Sequence, residues 1–335
     1  MIFRYFTIVV IVASVLSCNS KTSSESTEES DNQKVDTIQL INAAIKIDPS
    51  NDSLYLAKAE YFIRNGQVRY AWNEFDRAIQ TDTMDAELYF KKAKALFDQR
   101  LYAESVEVTL KALEKDPNHA ESLVLMGWHY FLVQNYPSGL EQLNMALEQD
   151  MYLSEAYFLK GLIYYERKDY AKAASNLKTA VEQDNDYYEA WLELGFLYDE
   201  QSDTLAPEFF KNAIRVRPES TEAMYALAMH YQNREKLSEA ITWYDELLEI
   251  DPQYKDAWFN IGYLYMIYGA NPDSSIFYFD KVIALDKLDY RAHYNKGLYY
   301  EQSGQSARAR EQYEKALEIK PDYDLAARGL NRLGL

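Results

Sequence analysis

From Asp52 to Tyr323 the chain repeats one pattern with a period close to 34 residues. Eight repeats start at 52, 86, 120, 154, 188, 221, 255 and 290, so the spacings are 34, 34, 34, 34, 33, 34 and 35. A fixed period of this size limits the chain to stacked copies of one small element, since no copy can bury its apolar face alone. The fourth residue of each repeat is large, usually aromatic: Tyr55, Tyr89, Leu123, Tyr157, Trp191, Met224, Trp258, with His293 as the exception. The eighth is always small: Ala59, Ala93, Gly127, Gly161, Gly195, Ala228, Gly262, Gly297. The eleventh is Phe62, Leu96, Tyr130, Tyr164, Tyr198, Tyr231, Tyr265 or Tyr300. Positions four, eight and eleven share one face of a 3.6-period helix. The second half of each repeat carries another such face, as at Ala71, Phe75, Ala78 and at Ala309, Tyr313, Ala316. Each repeat is therefore expected to be a pair of helices.

Glycine inside a helix costs roughly 0.5–1 kcal/mol relative to Ala. Five of the eight small positions nevertheless hold Gly. Close approach of the two helix backbones explains this, with the Ala-rich positions of the second helix as expected partners. The aromatics at positions four and eleven are then expected to fill the space between repeats. Asp-Pro or Lys-Pro closes several repeats, at Asp116-Pro117, Asp251-Pro252 and Lys320-Pro321.

This order of aromatic, small, aromatic, small, aromatic, small and proline resembles the tetratricopeptide repeat (TPR) family. The resemblance implies an all-α, right-handed α-solenoid of antiparallel helix pairs: eight TPR repeats over 52–321, between capping helices at 35–51 and 322–335. Val35 to Asp48 reads as a lone second helix, with Ile38, Ile41, Ala44 and Ile45 on its apolar face. Repeat five is one residue short near Gln201–Pro207, and repeat seven one residue long near Gly269–Pro272.

Ahead of the array, Met1-Ile2-Phe3-Arg4 supplies one positive charge and Tyr5 to Leu16 is almost wholly apolar. That run is shorter than the ~20 residues needed to span a bilayer and suits a secretory signal over 1–18. The chain's single Cys, Cys18, follows Val15-Leu16-Ser17. This segment resembles a bacterial lipobox, which implies a lipid-modified Cys18 holding the protein to the cell envelope, with the outer membrane favoured by Asn19. An ordinary signal cleaved nearby, or an uncleaved anchor, is the alternative. Residues 19–34 contain no large apolar side chain before the final Lys and are expected to form a disordered tether.

The formal net charge is −18. It argues against nucleic acid, whose phosphates need clustered Lys and Arg, and against a basic membrane-docking surface. The sequence offers no catalytic constellation. His119, His129, His230 and His293 make no ligand pair at helical spacing and have no Cys nearby, so neither metal nor cofactor is expected. The carboxylates follow the period instead: Glu87, Glu121, Glu155, Glu189, Glu222 and Asp256 all stand at position two. The expected class is a non-enzymatic interaction protein.

In the TPR family the first helices line the concave face, and position nine is commonly Asn. Here position nine runs Glu60, Lys94, Trp128, Leu162, Phe196, Met229, Tyr263, Leu298. Position five adds Phe90, Val124, Phe158, Leu192, Tyr225, Phe259 and Tyr294, and position twelve adds Phe97, Phe131, Tyr165 and Met266. A continuous apolar stripe of this kind marks an interaction surface, unless positions five and twelve pack on neighbouring helices. The carboxylate clamp of chaperone-binding TPR domains needs Lys with Asn or Arg at matching positions. Lys91 and Lys94 stand in repeat two, but repeats three to five lack the rest. The stripe therefore points to an apolar, acid-rimmed groove that takes an amphipathic helix or an extended peptide. Two other occupants remain open: a glycan stacked on the aromatics, and a segment or second copy of the chain itself.

Overall fold

A computed structural model describes residues 26–268 and 273–334, with the backbone alone over 26–36. The leader, Cys18, residues 19–25 and the insertion at 269–272 lie outside the described residues. Eighteen helices and no strands occur among those described. After α1 (Ser26–Ile47), the first helices of the eight repeats are α2 (Asp52–Arg64), α4 (Ala86–Asp98), α6 (Ala120–Leu132), α8 (Ser154–Glu166), α10 (Tyr188–Glu200), α12 (Thr221–Gln232), α14 (Lys255–Tyr268) and α16 (Tyr290–Gln302). The second helices are α3 (Val68–Thr81), α5 (Tyr102–Lys115), α7 (Tyr136–Gln149), α9 (Tyr170–Gln183), α11 (Ala206–Val216), α13 (Leu237–Ile250), α15 (Ser274–Leu285) and α17 (Ser306–Ile319). α18 (Asp324–Arg332) follows. Every repeat start expected from the sequence coincides with the first residue of a first helix. The chain forms two compact units, up to Asp169 and from Tyr170 onward. Within each, the two helices of a repeat pack as a hairpin and successive hairpins stack.

Two turn devices recur with the period. Between the helices of a repeat, position fifteen is left-handed: Gly66, Arg100, Gln134, Lys168, Ser202, Glu235 and Gly304 all have φ between 56° and 73°. The next amide closes this turn by bonding back across it, as Gln67 N–H does to Phe62 O at 2.8 Å and Leu101 N–H to Leu96 O at 2.9 Å. Between repeats, an Asp ends the second helix and its carboxylate accepts the amide two residues on. Asp48, Asp82, Asp116, Asp150, Asp184, Asp251 and Asp286 all do so, at 2.8–3.2 Å.

The position-four aromatic adds a staple to that second turn. Tyr55 Oη donates to Pro49 O (3.0 Å), Tyr89 Oη to Thr83 O (3.3 Å), Trp191 Nε1 to Asn185 O (2.8 Å) and Trp258 Nε1 to Pro252 O (2.9 Å). Each reaches back six residues, which is why Tyr and Trp stand there and Phe does not. The rings at positions four and eleven do not only fill gaps between repeats. In repeat five, Trp191 stacks on Phe209 (6.2 Å) and Tyr198 lies 4.8 Å from the same ring. In repeat seven, Trp258 and Tyr265 meet Tyr278 at 5.9 and 5.3 Å. Both boxes are completed by the repeat's own second helix. Where position four is His293, the facing residue is Gln312, and the two are hydrogen-bonded at 2.9 Å.

The small position eight faces a bulky side chain, not the Ala positions expected to receive it. A Cβ on Gly195 would lie 2.4 Å from the Phe210 ring, and one on Gly297 2.6 Å from Tyr313. Gly127 meets Leu143 and Gly262 meets Phe279, each at 3.0 Å. Each of these four glycines makes room for one large side chain of its own repeat's second helix.

The N-terminal helix corrects a second expectation. α1 begins at Ser26, so residues 26–34 are helical and not a disordered tether. The stretch contains good helix formers in Glu28, Glu29 and Gln33. Helix propagation from the array also needs less stabilisation per residue than nucleation of a new helix. Its Leu40 and Ile47 are exposed.

Candidate functional site

In the N-terminal unit the first helices α4, α6 and α8 pack on one another in order. Their facing residues form a run of rings centred on Trp128. Its indole lies 6.3 Å from Phe97, 6.2 Å from Phe158 and 5.7 Å from Phe131, the last edge to face at 89°. Trp128 Nε1 donates to Glu155 Oε1 at 2.8 Å, which fixes the ring across the junction of repeats three and four. Phe97 also touches Tyr102 and the His129 ring, each at 5.3 Å, and Phe90 lies 5.5 Å from the His119 ring.

Beneath this run sits a buried polar pair. His129 bonds Ser105 Oγ at 3.1 Å, and Ser105 donates to Ala93 O at 2.7 Å. Burial holds the imidazole pKa down at about 4, so His129 is neutral at pH 7.

The C-terminal unit carries a separate set. Asn260 Nδ2 donates to Tyr225 Oη (3.1 Å) and Tyr244 Oη (3.0 Å), while Tyr244 donates to Gln232 Oε1 (2.9 Å). Burial raises the pKa of Tyr225, and burial also pushes Tyr254, 5.3 Å from it, up to about 12. Phe259 lies under the Arg291 guanidinium at 4.7 Å. Tyr294 packs on Tyr313 and Tyr323 at 5.9 and 5.3 Å.

The expected stripe is thus only partly a surface. Val124, Phe158, Leu162, Tyr165, Leu192 and Met266 are buried, at most 6% exposed, and cannot touch a partner. Val124, Phe158 and Leu192 at position five, Leu162 at position nine, and Tyr165 and Met266 at position twelve therefore serve the core. Phe90, Phe97, Trp128, Phe131, Phe196, Tyr225, Met229, Phe259 and Tyr294 are half-buried. Tyr263 is exposed at 38%, and Ile267, one turn further along α14, is exposed as well.

The acid rim is also largely engaged. Glu87 pairs with His119 (3.2 Å) and Lys91 (2.9 Å), Glu155 holds Trp128, Glu189 holds Arg217 (3.1 Å) and Asp256 holds Arg291 (3.2 Å). Glu155 and Asp256 tie one repeat to the next, while Glu87 and Glu189 bond residues at the end of their own repeat. The signal for this was their strict period, which no solvent-facing role requires. Lys94 is paired to Asp98 on its own helix at 2.5 Å. The hydrogen bond and charge of Glu87 raise the Lys91 pKa. Neither lysine is poised for a free carboxylate, and among the described residues no three His, Cys, Asp or Glu converge as a metal site.

Comparison with known proteins agrees with this geometry. A family model described as "TPR repeat" matches residues 161–202 and 230–266. Two models described as "Tetratricopeptide repeat" match 56–120 and 290–323. Among solved structures, the C-terminal part of a TPR repeat-containing protein from Cytophaga hutchinsonii superposes with a TM-score of 0.63. The two are 19% identical, over 72% of this chain and 99% of that one. A human IFIT1 dimer with PPP-AAAA gives 0.55 at 18% identity, over 84% of this chain and 68% of that one. At these identities the likeness is one of fold. The general transcriptional corepressor ssn6 of Schizosaccharomyces pombe is 27% identical over 116 residues, which is 34% of this chain and only 10% of that protein's length.

Proposed function

The chain belongs to the tetratricopeptide repeat family, and from that premise we propose a non-enzymatic scaffold of the bacterial cell envelope that binds a peptide or helix on its first-helix face. The TPR fold supports a protein or peptide partner. The observation that carries the finer reading is the Trp128 cluster. A half-buried indole with half-buried Phe97 and Phe131 beside it, fixed by Glu155, is a preformed apolar surface whose ordering cost has already been met. Such aromatic anchors dominate binding where they are partly desolvated before the partner arrives.

Crosslinking from position 131 in envelope fractions tests this. A discrete polypeptide adduct is expected, and Trp128→Glu should remove it while leaving the helical circular-dichroism signal intact. An adduct that survives Trp128→Glu moves the contact elsewhere. The envelope part of the reading rests on Cys18 as a lipid-bearing N-terminus. Among the described residues no helix is long and apolar enough to cross a membrane. Intact-mass analysis of the mature protein should find acylated Cys18. A free thiol there, or cleavage at another residue, removes the lipid anchor from the proposal.

A further inference from the structure

Several rings among the described residues carry a cation of their own. Arg217 lies 3.7 Å over Tyr188, Arg291 4.7 Å over Phe259, Lys320 4.8 Å over Tyr290, and Lys178 5.1 Å over Tyr198. Trp128 and Phe97 differ. Among the described residues no Lys or Arg of the chain lies over either ring, although Trp has the most favourable face for a cation. The inner-face lysines of the preceding repeat are held by Glu87 and Asp98.

The side chain bonded to Trp128 is anionic. One Glu155 oxygen accepts the indole N–H, and among the described residues the other meets no hydrogen-bond donor. Glu166 lies near enough to Tyr136, itself 6.0 Å from Phe131, to add to the rise that burial causes in that phenol's pKa. A second copy of a chain with net charge −18 is a poor match for such a surface.

The geometry points to Trp128, edged by Phe97 and Phe131 and rimmed by the Glu155 carboxylate, as a receptor for a Lys or Arg side chain on an otherwise apolar peptide. This rests on the reading that the inner face takes a peptide, and it names that peptide's chemistry. The indole face supplies the quadrupole and Glu155 the counter-charge. Because Glu155 also pins the ring, binding needs no rearrangement of the site.

The test uses the full-length protein and two fluorescein-labelled twelve-residue peptides alternating Leu and Lys, one with every lysine acetylated. Anisotropy should show the charged peptide bound roughly five- to thirtyfold more tightly than its acetylated twin. Glu155→Gln keeps an oxygen for the indole N–H and should cost most of that advantage, bringing the charged peptide close to the affinity of its acetylated twin. Glu239→Gln, an exposed carboxylate on α13, measures what the chain's overall charge contributes. Equal affinity for the two peptides, or the same loss from Glu155→Gln as from Glu239→Gln, overturns the inference. If the peptides bind equally but Trp128→Leu weakens both, the inner-face reading stands and only its cationic part falls. If neither peptide binds, both fall.

Discussion

His129 shows how one buried residue couples this fold to pH. Its pKa falls from 6.5 to about 4 because burial penalises the imidazolium, and its ring nitrogen faces a serine, not a carboxylate. The folded state therefore prefers the neutral form. That preference is fully present above pH 6.5 and is lost progressively as pH falls towards 4. By pH 5 the loss amounts to about 2 kcal/mol. Urea unfolding at pH 7 and pH 5 should show it, and His129→Gln, which can still bond Ser105, should flatten the difference. An unchanged slope in that variant would place the pH dependence elsewhere. The left-handed residues at position fifteen offer a second test. Gln134 holds φ 58° with a Cβ, a conformation that costs an L-residue roughly 1–2 kcal/mol. Gly66 and Gly304 take the same place without that cost. Gln134→Gly should stabilise by about 0.5–1 kcal/mol once the greater freedom of unfolded glycine is set against the relief. A fall in melting temperature would refute the argument.

At the scale of a helix pair, the close approach of first and second helices depends on glycine under a ring. The Gly195 site has no spare volume, because its Cβ would enter the Phe210 ring, which is fully buried. Gly195→Ala should destabilise by ~1–3 kcal/mol despite the better helix propensity of Ala. Gly127→Ala should cost less, since its contact with Leu143 is 3.0 Å against 2.4 Å at Phe210. If the two variants unfold alike, ring packing is not what selects glycine. The sequence made the position of this glycine legible but not its partner. Period and face follow from residue type along one helix, so the eight first helices begin where the pattern places them. What a face meets depends on the distance to the next helix, and that is set by side chains far away in sequence. The same reason hid the burial of Val124, Phe158 and Leu192 at position five. Their residue types suit a core seam or a groove equally well. The helix over residues 26–34 escaped notice differently, because a polar stretch gives no amphipathic signal while still containing good helix formers.

Over the molecule, stability should be distributed as the repeats are, with each hairpin supported mainly by its immediate neighbours. Gly195→Ala can be used again here, as a local wound within the C-terminal unit. Repeat five loses packing directly, and repeat six shares its core through Leu192, Phe210 and Met224. Repeat eight draws on a different cluster, built on Ala309, Tyr313, Ala316 and Ala326 and closed by Tyr323, Leu330 and Leu333 of the last turn and helix. Arg332 adds a bidentate link to Glu301 at 2.7 and 2.8 Å, so the C-terminal end is fastened to its own repeat. A nearest-neighbour array must therefore respond unevenly. Hydrogen exchange followed by mass spectrometry at pH 7 should find faster exchange in α10–α13 of Gly195→Ala, while α16–α18 keep wild-type protection. An all-or-none domain would instead lose the same opening free energy at every protected amide. Uniform acceleration out to α18 would show that the unit unfolds as one body, and the additive account of its stability would have to be abandoned.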